Sequence, residues 1–443
     1  MNRLEIDRFY MNEILEDKEK HIKKYKEMTG KVKNSTAMYK GEPIPFLYMP
    51  KMYTENDLNI FKELSETMMG ILRKVIDKYL TNEEYKKEFR FGDLLDRLIT
   101  VEHGYRAYVP MARIDIFYRG EGKFKFCELN ADGSSAMNED RELGRIFRES
   151  GIFDNIPETL IEENFELFNS WVKECEKMYC EFGGIKGEDT TVAIMDWSGG
   201  GTVNEFEVFR QAFEYNGFKA IIVDPREVTF IDDALYYGDT KIDIVYRRLV
   251  TREIIDRSDE IQDFIKGCLS GKVCVIGPIK SQIIHNKRIF KILHDEETKD
   301  FLTEKEVKFI EEHIPLTKYF EGEEWDIEEQ IVNKDELILK PCDLYASRGV
   351  YAGKDFPDEM WREKLLECKD EDYLIQEYYT PHKTTLLEVT EDDILQYDFN
   401  NITGIYMYNE KFAGLYSRVG KNPIISGLHE CYTLPTFIIK ERD

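Results

Sequence analysis

Long apolar runs are missing from this chain. No stretch approaches the ~20 residues that a membrane-spanning helix needs, and the opening MNRLEIDRFY is too charged for a secretory signal. A cytoplasmic location is therefore expected. Positive charge is also scarce: 61 Lys and Arg stand against 87 Asp and Glu, a formal charge of −26. Binding to a nucleic-acid backbone needs clustered Lys and Arg, so nucleic acid is not an expected partner. The 8 cysteines include no CxxC pair, and Cys127 and Cys274 sit in apolar strand-like runs, which favours reduced, buried thiols over disulfides or zinc. The 7 histidines form no HExxH or similar cluster, so N/S-type metal chemistry is not expected. Internal repeats and low-complexity segments are absent too.

What is present is a mixed pattern of helices and strands across 443 residues, enough for two to four compact units. The first ~100 residues carry apolar residues at three- and four-residue steps, as in DLNIFKELSETMMGILRKVIDKYL, and predict helices. An extended Pro-rich crossing, GEPIPFLYMPKMYT, interrupts them. Helices are expected from about Asn138 to Arg148 and from about Glu162 to Phe182, and GGIKGEDT at 183–190 marks a boundary. TVAIMDW, FKAIIVD, DIVYRRL and KVCVIGP then read as buried strands, with a helix through EFEVFRQAFEYNG, the pattern of a parallel α/β unit. From about Ser281 to Tyr379 come helices through NKRIFKILHD, EKEVKFIEEH and DEMWREKLLE and the strands ELILKP and DYLIQEYY. GIYMYNEKFAGLYSRVG closes the chain as a hairpin turning at Asn409-Glu410.

Residues 112–135, ARIDIFYRGEGKFKFCELNADGSS, carry the most chemistry. A two-residue loop at Glu121-Gly122 sets Asp115 opposite Glu128 and Arg113 opposite Asn130. Like charges directly opposite destabilise a strand pair, unless a cation lies between them. Two carboxylates and an amide oxygen form an oxygen-only set that suits Mg²⁺. Ala112, Ile114, Ile116, Cys127 and Leu129 form the opposite, apolar face. Two alternatives stay open: a bulge would set Asp115 against Cys127, and a diagonal Arg113–Glu128 pair could simply decorate a solvated face.

Further along, Lys287 lies near a helix start and Lys340 closes a strand, ahead of the turn-forming CDLYASRGVYAG. Both suit point charges on phosphate oxygens, and the loop could fold over phosphates with backbone N–H groups. In the strand LIQEYY, the backbone and acidic group of Gln376-Glu377-Tyr378-Tyr379 could grip an adenine and ribose. SGGG at 198–201 with Asp224 one βαβ unit later hints at a dinucleotide site, but Asn204 stands where the fingerprint needs its third glycine. A tight turn near a substrate pocket is the simpler account.

The stretches RIDIFYRGEGKFKFCELNADGSSA, DIVYRRL, HNKRIF, LKPCDLYASRGVYAG, LIQEYY and GLYSRVG together resemble the ATP-grasp superfamily, and within it the glutathionylspermidine synthetase-like, circularly permuted branch. The likeness runs from residue 113 to 420. Permutation is implied by order, since the carboxylate and ExN motif precedes the phosphate lysines and base-binding strand. The resemblance implies an α/β fold of mixed α+β character: a circularly permuted ATP-grasp with a pre-ATP-grasp parallel α/β domain and a helical N-terminal segment. Its divisions would be 1–182, N-terminal helices and metal hairpin; 190–280, the substrate domain; 281–395, the nucleotide-binding lid; and 396–443, a C-terminal hairpin returning to the core.

By the same resemblance Asp115, Glu128 and Asn130 look like Mg²⁺ ligands, and Lys287, Lys340, Ser347, Gly349, Gln376, Glu377 and Tyr378 like ATP contacts. Arg113 and Arg418 are similar to arginines that touch the transferred phosphoryl group and the tetrahedral centre. Ser134, Ser135, Arg247 and Arg248 would face the substrate, with an ion-pair role open for the last two. The implied activity is ADP-forming, ATP-dependent amide ligation of a carboxylate and an amine, glutathione-like and polyamine-like, with ATP and Mg²⁺. Two departures from the family pattern stand out. The cover loop has Ala346-Ser347-Arg348 before Gly349 instead of a richer glycine run, and an N-terminal cysteine amidase domain of the kind found in bifunctional members is not expected. Alternatives are a catalytically silent nucleotide-binding or scaffold protein and an NAD-dependent oxidoreductase.

Overall fold

The computed structural model describes residues 3–154, 160–200, 202–323, 325–344, 347–425 and 430–441. Its centre is a six-stranded sheet in which the early hairpin and the late one lie side by side. The spatial order is Tyr432–Leu434, Lys411–Gly420, Ile394–Tyr408, Met111–Gly120 and Lys123–Asn130, with Lys383–Val389 also pairing to Ile394–Tyr408. Both hairpins close through two residues of positive φ, Glu121 (51°) with Gly122 (73°) and Asn409 (49°) with Glu410 (63°). Two consecutive positive φ values match the twist of the flanking strands, and each turn sets the pairing next to it up to a register shift, between Tyr118 and Gly120 in the first hairpin and between Tyr406 and Met407 in the second. Sequence-distant residues then meet, Gly404 pairing with Asp115 and Ile405 with Ile114.

Behind the sheet runs the long helix Glu55–Thr81, started by a reciprocal cap between Thr54 and Asp57, a feature worth about 1 kcal/mol. Its apolar residues, among them Phe61, Met68, Leu72 and Val75, share one core with Ile114, Ile116 and Phe126 of the hairpin and with Val245 and Val275 of the next sheet. That next sheet is four-stranded and wholly parallel, ordered Cys274–Ile276, Ile244–Arg247, Thr191–Met195, Lys219–Val223. Three of these strands are buried along their whole length, as strands covered on both faces must be.

A four-stranded antiparallel sheet, ordered Thr317–Tyr319, Tyr373–Glu377, Leu337–Pro341, Tyr351–Ala352, has its own small core around Trp361, Leu339 and Ile375. The helix Asp358–Cys368 supplies Trp361 to it.

One element departs from the sequence pattern. The helix expected from Glu162 begins at Asn169, because Leu160–Glu163 is a strand paired with Thr436–Glu441. The Glu166 carboxylate accepts from the Phe168, Asn169 and Ser170 N–H groups and so starts the helix there. A partner strand 275 to 281 residues away outweighs a helical periodicity, and no local signal announces it. All 8 cysteines are free thiols, and among the described residues no helix is long and apolar enough to cross a membrane.

Candidate active site

The hairpin register is the one the loop dictates at the site itself: Arg113 faces Asn130 and Asp115 faces Glu128. A bulge does occur, but immediately beyond, where the register shifts between Asp115 and Ile116. Cys127 is the extra residue. It was expected on the apolar face, whereas the bulge turns it to the cavity side and lets Phe126 take the buried position opposite Ile116. A second shift between Tyr118 and Gly120 restores the original count, which is why the turn and the site agree with one register despite the irregularity between them.

Asp115 and Glu128 do not confront each other as bare charges. Arg113 grips Asp115 in a two-pronged bond, Nε to Oδ1 at 2.7 Å and Nη2 to Oδ2 at 3.0 Å, and spends a third N–H on the Ser135 carbonyl. Asn130 Nδ2 and Arg418 Nη2 add contacts to Asp115 Oδ2 at 3.2 and 3.4 Å. Glu128 turns the other way, to Lys287 Nζ at 2.9 Å. Burial alone would raise the Glu128 carboxyl, but Lys287, with His285 and Lys340 nearby, overrides it and lowers the pKa to about 2. Gly404 makes this packing possible: a Cβ there would stand 2.8 Å from Arg113 Cδ and 3.0 Å from Asp115 Oδ1.

Lys287 also donates to the Leu344 carbonyl at 2.5 Å, tying its helix to the cover loop. Lys340 reaches from the antiparallel sheet to the Cys127 carbonyl at 3.4 Å, and burial lowers its pKa. Gln376 donates to Thr317 Oγ1 at 2.7 Å. The Glu377 and Tyr378 N–H groups are already given to Leu316 O and Glu336 O, so a base lying on this strand would be held by side chains and carbonyl oxygens. The backbone grip expected from the sequence is narrowed accordingly.

Almost all the residues singled out in the sequence line one cavity of about 780 Å³: Arg113, Asp115, Glu128, Asn130, Ser134, Ser135, Lys287, Lys340, Ser347, Gln376, Glu377, Tyr378 and Arg418. Gly349 is not on its wall; it holds a positive φ of 69° against the Tyr373 hydroxyl. Arg247 and Arg248, expected to face a substrate, do not line it either. Arg247 forms a fully buried pair with Asp132, and Arg248 one with Glu205 at 2.9 Å. Arg248 also donates to the Ser134 carbonyl, so both arginines brace the loop after Asn130 from behind. Asp224, the residue that hinted at a dinucleotide, accepts from Ser198 N–H and the Arg226 guanidinium. It locks the turn at Ser198; Gly201 lies outside the described residues, as do Tyr345 and Ala346 of the cover loop.

Tyr379 of the expected base-binding strand lines the cavity too, whereas several wall residues escaped the sequence reading: His285, Arg348, Glu139 and Tyr416. Tyr416 could have been found, since it stands two residues before Arg418 on one strand and so shares its face. Glu139 could not, because it reaches the cavity from the first turn of the helix Met137–Glu149.

The donor set fits a hard divalent cation. Asp115 and Glu128 are opposed on one face of the sheet, and Asn130, by giving its N–H to Asp115, leaves its amide oxygen as a ligand atom. Among the described residues no group of three or more His, Cys, Asp and Glu side chains gathers to hold a metal. Two carboxylates without a complete protein cage suit Mg²⁺, which completes its shell with waters and substrate phosphates.

No protein-family profile and no curated protein matches this chain. Among solved structures it is similar to a glutathione synthetase-like effector from Globodera pallida in its apo form, with a TM-score of 0.64 and 13% identity over 94% of this chain and 96% of that one. A provisionally named gamma-glutamylcysteine synthetase from Methylobacillus flagellatus aligns with a TM-score of 0.41 and 12% identity over 88% of this chain and 89% of that one. The fold is therefore that of the glutathione synthetase-like effector, a mixed α/β architecture.

Proposed function

We propose that the chain is an ATP-dependent, ADP-forming carboxylate–amine ligase of the circularly permuted ATP-grasp type, related in its site to glutathionylspermidine synthetases. The observation that carries this reading is the convergence of Asp115, Glu128, Asn130, Lys287, Lys340 and Arg418 on one cavity from four separate stretches of sequence. The fold shared with a glutathione synthetase-like protein supports it. The permuted order is supported by the neighbouring hairpins, where the early strand Met111–Gly120 pairs with the late strand Ile394–Tyr408.

A carboxylate does not yield an amide at neutral pH without activation, because oxide is a poor leaving group. Phosphoryl transfer from ATP to the acid makes an acyl phosphate, and the protein contributes positioning and charge neutralisation. Lys287 and Lys340 would hold phosphate oxygens, and Gln376, Glu377 and Tyr378 the adenosine. Arg113 and Arg418 would absorb charge on the transferred phosphoryl group and the tetrahedral centre. Asp115, Glu128 and Asn130 would hold Mg²⁺, which supplies charge neutralisation on phosphate oxygens. Lys287, paired with Glu128 at 2.9 Å, stands beside the carboxylate that would hold the cation. The acid and the amine are proposed as small or peptide molecules, glutathione-like and polyamine-like.

A screen of carboxylate and amine pairs for ATP-dependent phosphate release, with mass spectrometry of the product, tests the reading. ADP, orthophosphate and an amide are expected; AMP and pyrophosphate, or no nucleotide binding at millimolar Mg²⁺, would overturn it.

A further inference from the structure

Glu139 differs from the ion-paired carboxylates of the cavity wall. Asp115 is paired with Arg113, Glu128 with Lys287, and Glu430 with Lys421. Glu139 has hydroxyl partners instead: Tyr416 Oη donates to its Oε2 at 2.7 Å and Thr433 Oγ1 at 3.3 Å. Among the described residues no cation lies within salt-bridge distance of it. It is nevertheless half-buried, and burial, with Glu205 as a like charge beyond, raises its pKa. A carboxylate held out of bulk water without a directly bonded counter-charge is costly; Arg418, beyond the Tyr416 ring, offsets part of that cost, and a cationic ligand in contact with Glu139 would relieve the rest.

Its surroundings point to the shape of that ligand. The Tyr416 ring that anchors Glu139 also carries the guanidinium groups of Arg113 and Arg418, at 5.6 and 5.5 Å from its centroid. Glu139 therefore stands one aromatic side chain away from the arginine pair. Thr433, which meets both Tyr416 Oη and Glu139 Oε2, gives its N–H to Pro45 O at 2.9 Å, and Ile44, Pro45 and Tyr432 line the same cavity. An anionic head beside an aliphatic and aromatic wall is complementary to a primary alkylammonium group with a hydrocarbon body.

We infer that Glu139 is the receptor for the ammonium head of the amine co-substrate, with Ile44, Pro45 and Tyr432 walling its aliphatic chain. This rests on the ligase reading for the word co-substrate, but the binding itself does not. Tyr416 then stands between the head-group site and the Arg113 and Arg418 guanidinium groups.

The test measures two equilibria separately on the full chain: Mg·ATP binding by titration calorimetry, and binding of n-butylamine by saturation-transfer NMR, with 1-butanol as its neutral isostere. The wild type should bind n-butylammonium and not 1-butanol. Glu139→Gln should lose at least tenfold in amine affinity and keep its Mg·ATP affinity, with Glu139→Asp intermediate. In the wild type, low-level carbodiimide should couple n-butylamine saturably to Glu139, as read by peptide mass spectrometry, an arm that needs no variant to fold. Equal amine binding by wild type and Glu139→Gln, no amine binding by the wild type, or saturable coupling elsewhere in the cavity and not at Glu139 would each overturn the inference. Loss of Mg·ATP binding in the wild type would instead overturn the ligase reading, while the amine arms still decide Glu139.

Discussion

Glu128 and Lys287 meet at 2.9 Å across two elements that are separate in sequence, a hairpin strand and the start of a helix. This ion pair does two things at once: it neutralises half of an otherwise repulsive Asp115–Glu128 pairing, and it anchors the helix that also holds the cover loop.

Its pH dependence follows from the depressed carboxyl. Glu128 lies at about 2 in the folded chain against an ordinary value of 4.5. A lowered acid contributes stability that is present above the unfolded value and is lost as pH falls from about 4.5 through about 2. Lys287→Met should remove the main attractive partner, raise the Glu128 pKa, and move the acid-unfolding midpoint to higher pH. Carboxyl titration by NMR and acid denaturation followed by circular dichroism check this; an unchanged midpoint would remove the pair from the stability account.

Asp115→Asn and Glu128→Gln should each lower turnover by about 100-fold or more, as loss of charge neutralisation in a phosphoryl-transfer site does, while the Tm shifts by only a few degrees. Steady-state kinetics beside thermal unfolding separates the two effects. A Tm loss as large as the activity loss would assign both residues to an ion-pair network alone.

Lys340 reaches the hairpin through the Cys127 carbonyl. Lys340→Met should weaken Mg·ATP binding by about tenfold, the worth of one charge-assisted contact, with little change in fold. Titration calorimetry reads it directly, and an unchanged affinity would take Lys340 out of the nucleotide site.

Arg247 and Asp132 are both fully buried. Arg247→Met leaves an uncompensated carboxylate and should cost about 3–5 kcal/mol. Adding Asp132→Leu should recover part of that loss in a double-mutant cycle. Additive losses would mean that the pair is not coupled.

Gly404→Ala tests the close approach at the centre of the sheet. The added methyl would meet Arg113 Cδ and Asp115 Oδ1, so the two-pronged bond must shift. Activity should fall by about tenfold or more, since small misplacements in a preorganised site are expensive. A fully active variant would show that the Arg113–Asp115 geometry is not needed.

The parts legible in the sequence are those fixed by short-range rules. The turns at Glu121-Gly122 and Asn409-Glu410 close the two hairpins, the first in the register found at the site, and period-two alternation places Arg113, Asp115 and Asn130 on one face. Buried parallel strands read as unbroken apolar runs. The lysines at 287 and 340 were visible as charges next to turns.

Tertiary structure decided the rest, because it depends on residues far apart in the chain. The strand Leu160–Glu163 exists through its pairing with Thr436–Glu441. Cys127 leaves the core because a bulge follows the site and a second one cancels it. Arg247 and Arg248 look like ligand-binding arginines in sequence, but Asp132 and Glu205, 115 and 43 residues away, claim them. Glu139 enters the cavity only because the helix Met137–Glu149 packs beside Tyr416 and Thr433. Sequence determines which side chains share a face, since backbone geometry is local; which charges find partners, and which are left to a ligand, is set by packing between elements.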